Sequence, residues 1–385
     1  MKQFAKLLGA TLLGALIGFC GMMLLLALFG NKPIDELCTE MWTDFPEILG
    51  YGLTALAAVA VSGVLHVVLH EGGHLLGGLL SGYRFVSFRI FGLTLLRQNG
   101  RWCIKRFGLA GTGGQCLLLP PDMPASQLPT ALYNLGGVAS NLFFGALSFL
   151  ACVLWKGMPF VIICFFVSSA IVGLLMALTN GIPTKMGGIG NDGYNMLLLC
   201  KHPRSKEALI AQLKVNAAVQ EGLQPRELPE SWFACATASD FEDALQATVV
   251  HMQAMRLLNS GKTAGAASVL EELLEHRERM MGLLEQETEC ELAYIYMTEG
   301  KTEQAEALLT NNLRHYIQQF AASSSAKQRL LMAIACQLEG NMEKARRIRD
   351  DVEQKRSQYL LQGEVAMDLE LMDKLLLRHH EASHT

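Results

Sequence analysis

Residues 51–80 read YGLTALAAVAVSGVLHVVLHEGGHLLGGLL. A bilayer core takes ~20 apolar residues to cross as a helix, and this run is long enough to do so. Into it are set His66, His70, Glu71 and His74. Ionisable groups inside an apolar span are costly and usually functional. His70 and His74 stand four apart, so on a helix they share one face and both imidazoles can reach one metal ion. Glu71 stands beside them, where it can take a proton from an activated water. Zinc lowers the pKa of a bound water toward ~7. A cluster of polar side chains gluing helices together is the bland alternative. His66 lies one turn back on the same face and reads either as a further ligand or as a hydrogen-bonded interior histidine.

Three further stretches have the length and apolarity of a span: Leu7–Phe29, Leu128–Trp155 and Pro159–Leu178. With Tyr51–Leu80 they make four. The first is too long for a signal-peptide core and reads as an uncleaved span. The loops orient the set. Between the first two spans lie Asp35, Glu36, Glu40, Asp44 and Glu47, with Lys32 as the one base. Between the second and third lie Arg84, Arg89, Arg97, Arg101, Lys105 and Arg106, with Asp122 as the one acid. Basic loops stay in the cytoplasm. Both termini and the 81–127 segment are therefore expected there, in a multi-pass protein of the cell membrane. Lys156, in the turn before the fourth span, runs against the rule. His70 follows Tyr51 by ~29 Å of helix at 1.5 Å per residue, which puts the histidines near the cytoplasmic edge of the core.

A catalytic zinc usually takes three protein ligands. The candidate for the third is Asp192, in Gly187-Gly-Ile-Gly-Asn-Asp-Gly193 beyond the fourth span. On local sequence an ordinary Asn-Asp-Gly turn at a helix start reads equally well.

The 385-residue chain as a whole is 51% apolar and only 18% charged, which excludes a disordered or collagen-like protein. Its net charge of −4 and pI near 6.2 give no attraction for nucleic acid. These averages combine unlike halves. Residues 1–200 hold 11 Lys/Arg and 8 Asp/Glu, and the remainder holds 21 and 28, so a membrane part precedes a charged soluble part. The ten cysteines are scattered singly with no CxxC, which excludes a zinc ribbon and a thioredoxin-type motif and suits a reduced compartment.

HEGGH in a span, followed by a span that leads into Asn180-Gly-Ile-Pro183 and then Asp192-Gly193, resembles the site-2 protease family of intramembrane zinc metalloproteases. Tyr83–Pro120 carries alternating runs with Asn99-Gly100 between two of them, a hairpin signal; the family has a short sheet at this place. Arg106–Gly114 is similar to the glycine-rich turn that ends it. Tyr133–Asn141 is similar to the family's Gly-Pro-x-x-Asn element, with Val138 in place of the proline. The spacing from Asn180 to Asp192 is longer than usual, and Asn191 stands where leucine is common. The resemblance covers residues 49–200. It implies one Zn2+ per chain held by His70, His74 and Asp192, Glu71 as general base, and Asn141 as a substrate-positioning residue. It also implies a membrane-embedded or membrane-proximal polypeptide substrate, unwound and paired as an extra strand on the 83–119 sheet. Gly72, Gly73, Gly77 and Gly78 would let a neighbouring helix or the substrate come close.

Residues 201–240, with Pro203, Pro225 and Pro229, read as a linker with short helices. From 241 a helical pattern repeats. Gly261, Gly300 and Gly340 are each preceded by Ala254, Ala293 and Ala333 and followed by Ala266, Ala305 and Ala345 at matching distances. This resembles tetratricopeptide-type hairpins, whose stacks bind peptides or partner proteins. The period of 39 to 40 exceeds the usual ~34, so longer second helices are expected. A plain helical bundle is the alternative. The histidines His379, His380 and His384 read as a disordered end more readily than as a metal-binding tail.

The expected fold is thus mainly α. Residues 1–48 form a transmembrane helix and external loop. Residues 49–200 form a multi-pass membrane core with a β-sheet insert at 83–119. Residues 201–240 form a linker, 241–360 TPR-like repeats, and 361–385 a C-terminal helix and tail. Expected partners are membrane lipid, a membrane protein or peptide substrate, and a cytoplasmic protein on the repeats. The expected activity is that of a zinc metalloendopeptidase. A catalytically inactive membrane scaffold is the alternative, and a transporter is disfavoured because the ionisable groups gather at one end of the membrane.

Overall fold

The computed structural model describes residues 34–98, 101–106, 113–186 and 189–382. The first expected span, the Asn99-Gly100 turn, most of the glycine-rich turn after Arg106, Gly187-Gly188 and His384 lie outside the described residues.

Among the described residues, three helices are long and apolar enough to cross a membrane. They lie in α1 (Ile34–Leu80), α2 (Ala131–Leu154) and α3 (Phe160–Gly181). The last two match the expected third and fourth spans within a few residues. α1 corrects one expectation: the acidic segment from Asp35 to Glu47 is helix, continuous with the apolar run, and not a loop.

The three helices pack on one another with small and polar residues inside. Gly137, Asn141, Gly145 and Ser148 of α2 and Ser168, Ser169, Gly173 and Ala177 of α3 are buried. Large apolar side chains point outward, including Phe143 at 63% exposure, Phe149 at 64% and Val161 at 63%. This is the reverse of a water-soluble bundle and is the packing that suits helices in lipid.

Between α1 and α2 lies an antiparallel four-stranded sheet of β1 (Arg84–Ile90), β2 (Leu93–Gln98), β3 (Arg101–Arg106) and β4 (Gly114–Leu119), in the order β3-β2-β1-β4. β1 and β2 pair Phe88 with Leu95, and a bulge between Phe85 and Ser87 shifts the β1–β4 register. β4 lies against α1. Two short strands, β5 (Lys185–Met186) and β6 (Ile189–Gly190), precede α4 (Asp192–Lys201).

About half of the expected linker is a 19-residue helix, α5 (Pro203–Glu221). Proline is well tolerated in a first helical turn, where its missing N–H has no partner to lose, so Pro203 starts this helix. Pro225 likewise begins a 3₁₀ turn. One side of α5 joins the sheet: Leu213 shares a buried cluster with Tyr83, Cys116 and Leu118. Another joins the following helices through Ala208, Ala211 and Val249.

Beyond it come α6 (Ala244–Asn259), α7 (Thr263–Glu275), α8 (Gly282–Thr298), α9 (Thr302–Leu308), α10 (Asn311–Phe320), α11 (Ser325–Gln337), α12 (Met342–Gln354) and α13 (Gln362–Ala382). Pairs turn at Gly261, Gly300 and Gly340, whose φ values of 77°, 76° and 62° suit glycine. All six alanines at matching positions are fully buried. The second helices are not uniformly longer: α7 and α12 have 13 residues each. The extra residues form 3₁₀ turns at Arg277–Arg279 and Arg356–Gln358, and in the middle pair a broken helix, α9 and α10. His379 continues α13.

Candidate metal centre

His70, Glu71 and His74 lie two to three turns before the end of α1, on the side facing α2 and β4. Gly73 brings the backbones together: a Cβ there would lie 2.2 Å from the Gly136 carbonyl oxygen. Gly77 meets Leu132 in the same way, and Gly78 meets the Leu118 side chain. Three of the four glycines singled out therefore seat α1 on its neighbours, whereas a Cβ on Gly72 would meet nothing within 4 Å.

Asp192 is the first residue of α4. Asn191, the N-cap, anchors it. Its Oδ1 accepts from the N–H groups of Tyr194 and Thr184 at 2.9 and 3.1 Å. Its Nδ2 donates to the carbonyls of Thr179 and Ile182 at 2.7 and 2.6 Å. One amide thus ties the end of α3 to the start of α4. That explains why asparagine stands where the resemblance led one to expect leucine. Gly193 completes the junction, because a Cβ there would lie 2.1 Å from the Gly181 carbonyl oxygen.

This packing brings three ligand atoms together. His70 Nε2 and His74 Nε2 are 3.1 Å apart. Asp192 Oδ2 lies 3.1 Å from the first and 3.4 Å from the second. That oxygen is buried and has no partner in hydrogen-bond geometry. Among the described residues this is the one His/Cys/Asp/Glu group close enough to hold a metal ion. The outer nitrogens are held as well: His74 Nδ1 lies 2.6 Å from the Tyr133 carbonyl oxygen, and His70 Nδ1 lies 3.0 Å from the Asn141 amide.

A cavity of about 620 Å³ opens on the group. Glu71 lines it with His70, His74 and Asp192, facing Gly114, Gln115 and Cys116 of β4. A Cβ on Gly114 would lie 2.4 Å from Glu71 Cγ, so glycine is needed where the strand passes the carboxylate. Gly137 does the same for the imidazoles, at 2.6 Å from His70 Cε1 and His74 Nε2. Burial pushes the Cys116 thiol up to about 12, with the Glu71 charge adding to it, so it lines the cavity as a neutral group.

Asn141 requires a correction. It is fully buried, does not line the cavity, and its amide is taken up by His66 and His70. A side chain so enclosed presents no group to a substrate in the cavity. His66 is an interior histidine, 3.1 Å from Asn141 Oδ1 and 3.0 Å from Ser169 Oγ. Sequence reasoning missed Asn191, Gly114, Gly137, Ser148 and Ser169. Polar and small residues inside or next to apolar spans were the available signal.

No family model, curated protein or solved structure matches the chain.

Proposed function

We propose that the chain is an intramembrane zinc metalloendopeptidase of the site-2 protease type. The observation that carries this is the convergence of His70 Nε2, His74 Nε2 and Asp192 Oδ2 at the mouth of a cavity that Glu71 also lines. The donor set fits zinc. Tetrahedral bonds of ~2.0–2.1 Å place ligand atoms ~3.3–3.4 Å apart, and the three separations here are 3.1, 3.1 and 3.4 Å. A buried carboxylate oxygen without a hydrogen bond is otherwise costly, and a metal ion satisfies it. When bound, zinc supplies a Lewis acid that brings the pKa of water toward neutrality.

The chain's own groups do the rest. His70, His74 and Asp192 hold the ion. Glu71 accepts the proton of the attacking water and returns it to the leaving amine. Gly114, Gln115 and Cys116 belong to β4, an edge strand, so an unwound substrate can pair beside them and be held extended. The outward apolar faces of α1, α2 and α3 support a multi-pass membrane core. The basic 84–106 segment supports a cytoplasmic position for the sheet, the site and both termini. The glycine-turned helix pairs support a tetratricopeptide-like region that binds a cytoplasmic protein.

The test compares wild type with Glu71→Gln in membranes, reading bound zinc and changed peptides by mass spectrometry. Expected are one zinc per chain in both and a loss of cleavage of about 10²–10⁴-fold in the variant. A Glu71→Gln chain that cleaves at the wild-type rate refutes the base assignment. A wild type that changes no peptide leaves the scaffold as the better account.

A further inference from the structure

We infer that Asn141, His66, Ser169 and Ser148 form one polarised hydrogen-bond chain that fixes His70 in the tautomer a metal ligand requires. The inference rests on the metal-centre reading above and assigns these four as positioning residues.

The chain is continuous across three helices. His70 Nδ1 lies 3.0 Å from Asn141 Nδ2, and Asn141 Oδ1 lies 3.1 Å from His66 Nδ1. His66 Nε2 lies 3.0 Å from Ser169 Oγ, which lies 2.8 Å from Ser148 Oγ. Ser148 Oγ donates to the Phe144 carbonyl oxygen at 2.8 Å. None of the five residues is more than 7% exposed. Water therefore does not set their directions, and each must be satisfied by the next.

Those directions follow from the two ends. An imidazole that ligates through Nε2 carries its proton on Nδ1 and donates it. His70 Nδ1 then needs an oxygen. The amide of Asn141 supplies one after a half-turn that exchanges its oxygen and nitrogen without moving the heavy-atom positions. Its NH2 now faces His66 Nδ1, which must accept. His66 is then protonated on Nε2 and donates to Ser169. Ser169 donates to Ser148, and Ser148 to the Phe144 carbonyl, which can only accept. Each link then runs from one donor to one acceptor. The opposite amide orientation suits a His70 protonated on Nε2, the nitrogen that would otherwise bind the metal. The chain thus links the ligand state of His70 to proton directions as far away as α3. Its fit is close at the far end too: a Cβ on Gly173 of α3 would lie 2.6 Å from His66 Cε1.

The experiment measures Zn2+ affinity of the full chain in detergent by chelator competition, and the visible spectrum of the Co2+-loaded protein. Three variants are compared with wild type. Asn141→Leu removes both amide groups at similar volume and is expected to weaken zinc by about 10–100-fold, the usual effect of losing a ligand's outer partner. His66→Phe keeps the ring and removes both nitrogens, and is expected to weaken zinc in the same direction and shift the cobalt spectrum. Asn141→Asp keeps an oxygen toward His70 and is expected to bind close to wild type. A polar cluster that only glues helices would alter stability and leave metal affinity and spectrum unmoved. If wild type binds zinc and either Asn141→Leu or His66→Phe matches it in affinity and spectrum, the chain has no positioning role. If Asn141→Leu does not accumulate, His66→Phe decides alone. A wild type that binds no zinc overturns the metalloprotease reading and this inference together.

Discussion

Replacing Gly137 with alanine tests the proposed metal centre through a residue that is not one of its proposed ligands. The added methyl would lie 2.6 Å from both His70 Cε1 and His74 Nε2, and 2.7 Å from His70 Nδ1, where ordinary contact begins at 3.4 Å. The shortfall is about 0.8 Å. Metal sites tolerate ligand displacements of about 0.2 Å, so the imidazoles cannot yield that far and still hold zinc. Helix α2 cannot readily back away either. Gly73 and Gly136 are already in backbone contact. Ser140 Oγ also donates across the same interface to the Leu69 carbonyl oxygen at 2.8 Å. Gly137→Ala is therefore expected to lower zinc affinity by at least about 100-fold, or ~2.7 kcal/mol. The assay is chelator competition on the full chain in detergent. Gly72→Ala is the control, since a Cβ there meets nothing within 4 Å. It should leave zinc unchanged and stabilise the helix by about 0.5–1 kcal/mol. A Gly137→Ala chain with wild-type zinc affinity would show that the two imidazoles do not converge as described.

Further outcomes concern the helical half. Arg329 is 1% exposed and bonds Glu291 at 2.5 Å and Asp368 at 2.7 Å. Arg329→Met leaves two buried carboxylates without their cation and should cost about 3–5 kcal/mol in denaturant unfolding; a change below ~1 kcal/mol would contradict the pairing. Burial, reinforced by repulsion from Asp368, Glu287 and Glu291, pushes the Glu364 carboxyl up to about 8. Its folded pKa lies above its unfolded one, so the stability it contributes is full at low pH and is lost as pH rises toward 8. Glu364→Gln should therefore raise the melting temperature at pH 9 and leave it nearly unchanged at pH 5; equal shifts at both would refute the burial argument. Gly300 has φ of 76°, so Gly300→Ala should cost about 1–2 kcal/mol, read from the same unfolding curve.

The parts of this fold that were legible in sequence are those encoded at short range. His70, Glu71 and His74 sit within five residues, and helical spacing alone puts the two imidazoles on one face. The apolar runs that became α2 and α3 were readable from their length. The alanines flanking Gly261, Gly300 and Gly340 were readable from their repetition, and each is buried. What could not be read depended on partners far along the chain. His66 meets Asn141 across 75 positions and Ser169 across 103. Ser169 does not differ locally from a serine that bonds its own helix, as Ser148 does. Asp192 was a candidate from its place beyond the fourth span, but its local sequence suits an ordinary helix start equally well. Prolines misled in 201–240 because a proline opens a helix as readily as it ends one. Acidic residues misled in 34–48 because charge alone does not break a helix.

β4 shows why the two halves cannot be treated separately. Its Gly114 passes Glu71 at the cavity, and its Cys116 carbonyl oxygen accepts from Tyr133 Oη at 2.8 Å. The Tyr133 carbonyl in turn holds His74 Nδ1. The same strand shares a buried cluster with Leu213 of α5. α5 is fixed to the helical half at several points: Ser205 donates to Asp243, and Gln212 donates to the Leu245 carbonyl oxygen at 2.6 Å. Lys214 reaches back to Asp122 beyond β4 at 3.1 Å, although that exposed pair adds little energy. On the far side of the sheet Lys105 donates to the Tyr359 carbonyl oxygen at 2.8 Å, ahead of α13. A flexible linker would have let the helical half float free of the site. Instead, a helix without slack joins that half to the strand that walls the cavity. Contacts therefore run without a break from α5 through β4 to Glu71 and, through Tyr133, to His74.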